Sequence, residues 1–189
     1  MAERISGEAS RALARELKAE AGVDVELCYQ CGKCTAGCPV AEEMDLAPSV
    51  VVRLCQLGER EKVLTSRTIW ICASCQTCMT RCPQEFDIAG LMDGLRRISH
   101  REGKVHEDAA GVPQFYEAFL DVTKRLGRLS EVPLTLLYKL KRFPRETMND
   151  VPMAPRMLAR RKLHIVPRRI KGASEVGRII DRCRKESGE

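Results

Sequence analysis

The chain has 189 residues, 44% of them hydrophobic but only 4% aromatic, and a formal net charge of +6 at pH 7. This length suits one ordinary domain or a small domain with an appendage, and so few aromatic residues argue against an aromatic-walled pocket. No apolar run approaches the roughly 18–20 residues that cross a bilayer, and the start MAERISGEASRALAREL lacks a signal-peptide core, so a soluble, cytoplasmic protein is expected.

In chain order the pattern is helical, and strand signals are nearly absent. Ala9 to Ala21 is rich in Ala, Leu, Glu and Lys and is followed by Gly22, which predicts a first helix and its stop. Next comes 28-CYQCGKCTAGCP-39. Pro48 then suits a first helical turn, Val51, Leu54, Cys55 and Leu57 supply an apolar face, and Gly58 closes the helix. A short helix over Arg60 to Leu64 precedes a second cysteine segment, 72-CASCQTCMTRCP-83. After it Ile88, Leu91, Met92, Leu95 and Ile98 recur at three- and four-residue steps before Gly103, which predicts an amphipathic helix.

Beyond Gly103 helices are expected near Gln114 to Leu126 and Pro133 to Lys141. A partly extended stretch punctuated by Pro144, Pro152, Pro155 and Pro167 follows them. A last helix over Ser174 to Arg184 is expected to place Val176, Ile179, Ile180 and Cys183 on one face. The charge gathers here: Val151 to Glu189 holds 11 Lys or Arg against 4 Asp or Glu, while the rest of the chain is close to neutral.

The two cysteine segments align without a gap. Cys28, Cys31, Cys34, Cys38 and Pro39 each have a counterpart 44 positions on, at Cys72, Cys75, Cys78, Cys82 and Pro83. Such a repeat implies two similar half-sites facing each other about a pseudo-twofold axis. A disulfide framework belongs to small secreted domains, so ten cysteines without an export signal point to metal. Zinc usually takes its ligands as two separated pairs, whereas three cysteines at three-residue steps wrap three corners of an iron-sulfur cubane. In bacterial two-cluster ferredoxins the fourth cysteine, followed by proline, serves the other cluster. The expectation is two [4Fe-4S] clusters, one held by Cys28, Cys31, Cys34 and Cys82, the other by Cys72, Cys75, Cys78 and Cys38.

Pro39 and Pro83, with fixed φ and no amide hydrogen, are expected to turn the chain away after its ligand. Gly32, Lys33, Thr35, Gly37 and Thr77 are candidates for shaping the loops or tuning the sulfurs. Cys55 and Cys183 sit on apolar helix faces and are expected to pack as small hydrophobes. No catalytic triad, phosphate loop or nucleotide fingerprint is present in the sequence, and no catalytic residue is assigned.

From Glu26 to Arg101 the chain, with CYQCGKCTAGCP, IWICASCQTCMTRCP and the following DI-containing helix, resembles the HdrC family, the C-type subunits of heterodisulfide reductases. More loosely, Phe143 to Ile180, with KLHIVPRRIKG, resembles the C-terminal region of bacterial members of that family. The resemblance implies a mainly α architecture with an α-helical ferredoxin-like core, as in the iron-sulfur subunits of succinate dehydrogenases. The chain is expected to divide into an N-terminal helix (1–24), a two-cluster domain (25–105) and a helical and extended partner-docking appendage with a basic tail (106–189). It also implies a non-catalytic electron relay in an anaerobic, hetero-oligomeric complex. Electrons would pass from an HdrA-like partner, which carries flavin and iron-sulfur centres, to an HdrB-like partner that reduces the disulfide. The CCG signatures of HdrB and the membrane helices of quinone-linked relatives are missing from this sequence.

Two other readings are open at this level. The same module serves iron-sulfur subunits of flavin-dependent dehydrogenases acting on hydroxy acids, glycerol phosphate or succinate. A nucleic-acid binder with structural clusters would use Arg156, Arg160, Arg161, Lys162, Arg168, Arg169 and Lys171 on phosphates, but no aromatic stacking platform accompanies that charge.

Overall fold

The computed structural model describes residues 7–142 and 167–187, and every regular element among them is helical. The chain divides into two compact units, the boundary falling between Ala110 and Gly111.

The first unit begins with α1 (Gly7–Ala21), which stops where Gly22 takes a left-handed φ of 68°. The first cysteine segment contains the single turn α2 (Lys33–Ala36). Helix α3 (Pro48–Leu57) opens on its proline and ends at Gly58, whose N–H reaches the carbonyls of Cys55 and Leu54. Two short helices, α4 (Arg60–Leu64) and α5 (Thr68–Ile71), lead to the second cysteine segment and its single turn α6 (Thr77–Thr80). Helix α7 (Ile88–Arg101) is capped by Asp87, whose carboxylate accepts from Gly90 N–H at 2.8 Å.

Helix α1 packs on α3 and α7, and α7 also packs on α4 and α5. The apolar stripe Ile88, Leu91, Met92, Leu95 and Ile98 is wholly buried, together with Leu13 and Leu17 of α1 and Val51, Val52 and Cys55 of α3. Burial of such side chains contributes about 1.5–3 kcal/mol each, which fixes α7 as the floor beneath the cysteine segments. Gly94 lets α1 and α7 approach closely: a Cβ there would stand 2.8 Å from Ala21 Cβ. Around this contact Glu16 meets Arg60 at 2.5 Å, and Glu20 meets Arg97 at 2.8 Å and Arg101 at 3.1 Å.

The loop between α2 and α3 is pinned by Asp45. Its Oδ1 accepts from Thr68 N–H at 2.7 Å and from the Thr68 hydroxyl at 2.6 Å, and its Oδ2 accepts from Arg67 N–H at 2.9 Å. The donors outweigh partial burial, which alone would raise the pKa, and they hold this carboxyl below the usual range. Asp45 thus joins the connection after the first cysteine segment to the short helix that delivers the second.

The second unit contains α8 (Gly111–Leu126), α9 (Glu131–Arg142) and α10 (Ala173–Ser187). Helix α8 packs on both others, around buried Ala118, Val122 and Leu134. The face expected for the last helix is displaced. Ile179 is 60% exposed and Cys183 is exposed, while Ala173 and Gly177 are buried. The reason is close approach: a Cβ on Gly177 would lie 3.4 Å from the Lys124 carbonyl, and Asp181 pairs with Lys124. Small residues set this seam, so Cys183 does not pack as a hydrophobe. Pro144, Pro152 and Pro155, with Arg156, Arg160, Arg161 and Lys162, lie outside the described residues; Arg168, Arg169 and Lys171 are exposed. Among the described residues no helix is long and apolar enough to cross a membrane.

Candidate iron-sulfur centres

The 44-residue repeat is a repeat of backbone geometry as well as of sequence. Gln30 and Gly32 have left-handed φ values of 64° and 76°, and their counterparts Ser74 and Gln76 have 49° and 60°. Ala36 N–H donates to the Gly32 carbonyl at 3.1 Å, as Thr80 does to Gln76 at 3.2 Å. Cys38 N–H donates to the Thr35 carbonyl as Cys82 N–H does to that of Met79. After the prolines, Ala41 N–H returns to the Cys38 carbonyl at 3.4 Å and Glu85 N–H to Cys82 at 3.1 Å. Pro39 and Pro83 therefore occupy the second position of a tight turn that leads the chain away from its cysteine.

Left-handed residues alternating along a loop turn successive amide hydrogens inward and make an anion-binding concavity, a form that iron-sulfur sites use. Three of the four left-handed positions here carry side chains, which costs about 1–3 kcal/mol each in strain. Such strain gathers where the backbone must wrap something.

Helices α2 and α6 pack against one another and so bring the two halves together. One cavity is lined by Cys72, Cys75 and Cys78 of the second motif and by Cys38 of the first, with Pro39, Ile88 and Met92 around them. On the other side Cys31, Cys82 and Cys28 act electrostatically on the Tyr29 hydroxyl, and Cys28 on the Cys34 thiol. Cys38 of the first motif thus lines one cavity with three cysteines of the second. At each site the middle cysteine, Cys31 or Cys75, is exposed, while Cys34 is buried and Cys78 half-buried. Eight soft sulfur donors, four in each motif, on concave loops, fit two cubane clusters in chemistry and number.

Burial pushes the Cys34 thiol up, partly offset by donation from Thr35, and burial pushes Cys78 up to about 11. Cys75 is held below the usual thiol range, chiefly by the Thr77 hydroxyl, whose Oγ1 is 3.4 Å from its sulfur. Metal binding must therefore displace protons from Cys34 and Cys78 in particular. Cys55, fully buried in the core, is pushed by burial to about 12 and behaves as a small hydrophobe, as expected.

Two side chains that sequence reasoning did not single out hold the motifs in place. Gln56 of α3 donates through Nε2 to the Val25 and Cys28 carbonyls, at 2.8 Å each. Arg96 of α7 donates to the carbonyls of Ile69 and Cys72. The first cysteine of each motif is thereby fixed by a side chain of a core helix. Of the residues expected to shape or tune the loops, Thr35 and Thr77 do contact ligand-candidate cysteines, Gly32 supplies a left-handed turn, and Gly37 lies beneath the Arg81 side chain.

Residues 27–87 match the family model of a 4Fe-4S dicluster domain. The chain carries two [4Fe-4S] clusters. The chain is 32% identical over 124 residues to the iron-sulfur C subunit of the CoB--CoM heterodisulfide reductase of Methanopyrus kandleri, covering 60% of this chain and 64% of that one. It is 26% identical over 140 residues to the C subunit of the H(2):CoB-CoM heterodisulfide,ferredoxin reductase of Methanothermobacter marburgensis, covering 68% and 75%. With the C subunit of the ferredoxin:CoB-CoM heterodisulfide reductase of Methanosarcina mazei it shares 37% over 94 residues, covering 50% and 57%. The dicluster domain thus lies in a chain that spans about three fifths to three quarters of the length of these relatives.

Proposed function

We propose that this chain is the electron-relay subunit of a heterodisulfide-reductase-like complex. In this reading Cys28, Cys31, Cys34 and Cys82 hold one cluster and Cys72, Cys75, Cys78 and Cys38 the other. The carrying observation is the cavity in which Cys38 joins Cys72, Cys75 and Cys78 across the repeat.

The bound clusters supply one-electron storage. The chain's own residues do the rest. Eight thiolates anchor the clusters, and Gln56 and Arg96 hold the first cysteine of each motif against α3 and α7. The crossed cysteines staple the two halves, so the separation between the sites stays constant during transfer. Exposure of Cys31 and Cys75 brings one edge of each site to the surface, where a partner's redox centre can approach within transfer distance.

A relay needs a partner at each end. The relatives are named as the C subunits of heterodisulfide reductases, which supports a hetero-oligomeric complex; in this reading one partner is an HdrA-like protein with flavin and iron-sulfur centres and the other a disulfide-reducing HdrB-like protein. The test is to isolate the native assembly anaerobically and identify its components. HdrA- and HdrB-like partners are expected, and the chain alone should pass electrons to a dye without reducing a disulfide. A co-purifying flavin-dependent hydroxy-acid or glycerol-phosphate dehydrogenase, or disulfide reduction by the chain alone, would contradict the proposal.

A further inference from the structure

The second unit carries a groove that the cluster sites do not use. It encloses about 270 Å³ between Val122 and Leu126 of α8, Leu136 and Leu137 of α9, and Pro167. Leu136 is 53% exposed, although it belongs to the apolar wall. The groove is smaller than the roughly 300–1,000 Å³ of a small-molecule site, and such a site also needs several convergent polar groups. Among the described residues Arg125 is the one polar side chain in its wall. The space suits a few aliphatic side chains instead.

The rim is cationic. Arg168, Arg169 and Lys171 follow Pro167 on a strap tied to α8: Ile170 N–H donates to the Leu126 carbonyl at 3.0 Å, and Ala173 N–H to that of Ile170 at 3.2 Å. The strap lies close because Gly127, with a φ of 74°, puts no side chain in its way; a Cβ there would stand 2.8 Å from Ala173 Cα. Arg125, Arg128, Arg168, Arg169 and Lys171 are exposed, and among the described residues no ion pair engages them. The pairs of this unit, Lys124 with Asp181 and Arg184 with Asp121, join α8 to α10 instead. Glu131 and Glu175 sit in the first turns of α9 and α10, where a carboxylate suits the helix's own N-terminus.

We propose that this groove receives an acidic amphipathic helix from another subunit. The aliphatic face of that helix enters beside Leu136, and its flanking carboxylates meet Arg125, Arg168 and Arg169. The described residues offer no sheet edge for a strand to join, so a helix laid in a groove is the mode that fits. Apolar contact supplies affinity, while the exposed cations select an acidic partner and speed its approach. A membrane needs apolar side chains that protrude, whereas these line a concavity. Nucleic acid would leave the aliphatic wall unused. The inference rests on the multisubunit reading above and adds where a partner docks and by what chemistry.

The test uses the full chain, with both clusters assembled, in its native assembly. A photo-cross-linking p-benzoylphenylalanine in place of Leu136 should label an acidic helical segment of another subunit. Leu136→Ser should weaken binding of that subunit about tenfold at every salt concentration. Arg168→Glu with Arg169→Glu should weaken it at least as much at low salt and flatten its salt dependence, because salt screens exposed charge. All three positions are exposed, so iron and helix content should match the unaltered chain, and the cross-link decides should a variant lose iron.

Normal assembly of both variants overturns the inference. So does a cross-link to a basic segment, to another part of this chain or to a second copy. Flotation on phosphatidylserine vesicles that Leu136→Ser abolishes, or duplex-DNA binding that the double arginine change abolishes, overturns it as well. A labelled acidic helix on a subunit unlike HdrA or HdrB keeps the docking site and removes the relay reading. HdrA- and HdrB-like subunits with no label from position 136 remove the docking site alone.

Discussion

Arg96 donates its guanidinium to the backbone carbonyl of Cys72, so one side chain of α7 sets where the second cysteine motif begins. The same guanidinium holds the Ile69 carbonyl and pairs with Asp93 at 2.6 Å, which leaves it a single geometry. A charged hydrogen bond of this kind contributes about 1.5–3 kcal/mol. Arg96→Ala should therefore destabilise the chain by about 2–3 kcal/mol. It should also deplete the cluster of the second motif before that of the first. Iron content and the EPR spectrum of the variant would show this, and equal loss of both clusters would contradict it.

Crossed ligation makes a distinctive prediction. Cys38→Ser should damage the cluster that Cys72, Cys75 and Cys78 hold, and Cys82→Ser the one that Cys28, Cys31 and Cys34 hold. The EPR signal remaining in each variant identifies the survivor when compared with Cys31→Ser and Cys75→Ser. If each serine removed the cluster of its own motif, the crossed assignment would be wrong.

Much of this architecture is legible in the sequence, for reasons that are local. The 44-residue offset of the cysteines survives in the left-handed residues and turns of both loops because each loop is built within a dozen positions. Helix α7 follows from the spacing of Ile88, Leu91, Met92, Leu95 and Ile98, all now buried. Gln56 and Arg96 are not legible, since each binds a carbonyl more than twenty residues away and carries no periodic signal. The face of α10 is misjudged because Ala173 and Gly177, not the larger Ile179, are the residues buried there. A hydrophobic pattern favours large side chains, whereas close packing here favours small ones.

Gly94→Ala tests the packing of α1 on α7. The new methyl would stand 2.8 Å from Ala21 Cβ, so the helices must separate or shift. A loss of about 1–3 kcal/mol is expected in denaturant unfolding, with partial recovery in the Gly94→Ala, Ala21→Gly pair. No loss in the single variant would show that the contact yields freely.

Acid should loosen the connection between the motifs. The Asp45 carboxyl is held below its usual range by Thr68, Arg67 and Leu46, which together outweigh its partial burial, and Glu102 is lowered chiefly by its pairing with Arg60. A depressed folded-state pKa means stability that is fully present above the ordinary carboxylate range and is lost as pH falls through the lower folded value. Unfolding midpoints should be flat from neutral pH down to about 5 and decline below about 4. Asp45→Asn should flatten part of that decline and lower stability at neutral pH by about 1–3 kcal/mol, because an amide nitrogen would face donors. An unchanged acid limb in this variant would remove Asp45 from the account.

The most direct test of the whole account is the iron and acid-labile sulfide content of the anaerobically purified chain, with EPR of its reduced form. Two cubanes require about eight iron and eight sulfide per chain, with signals from two reduced clusters that interact. Stoichiometric zinc, or iron for one cluster or fewer under strictly anaerobic handling, would contradict it.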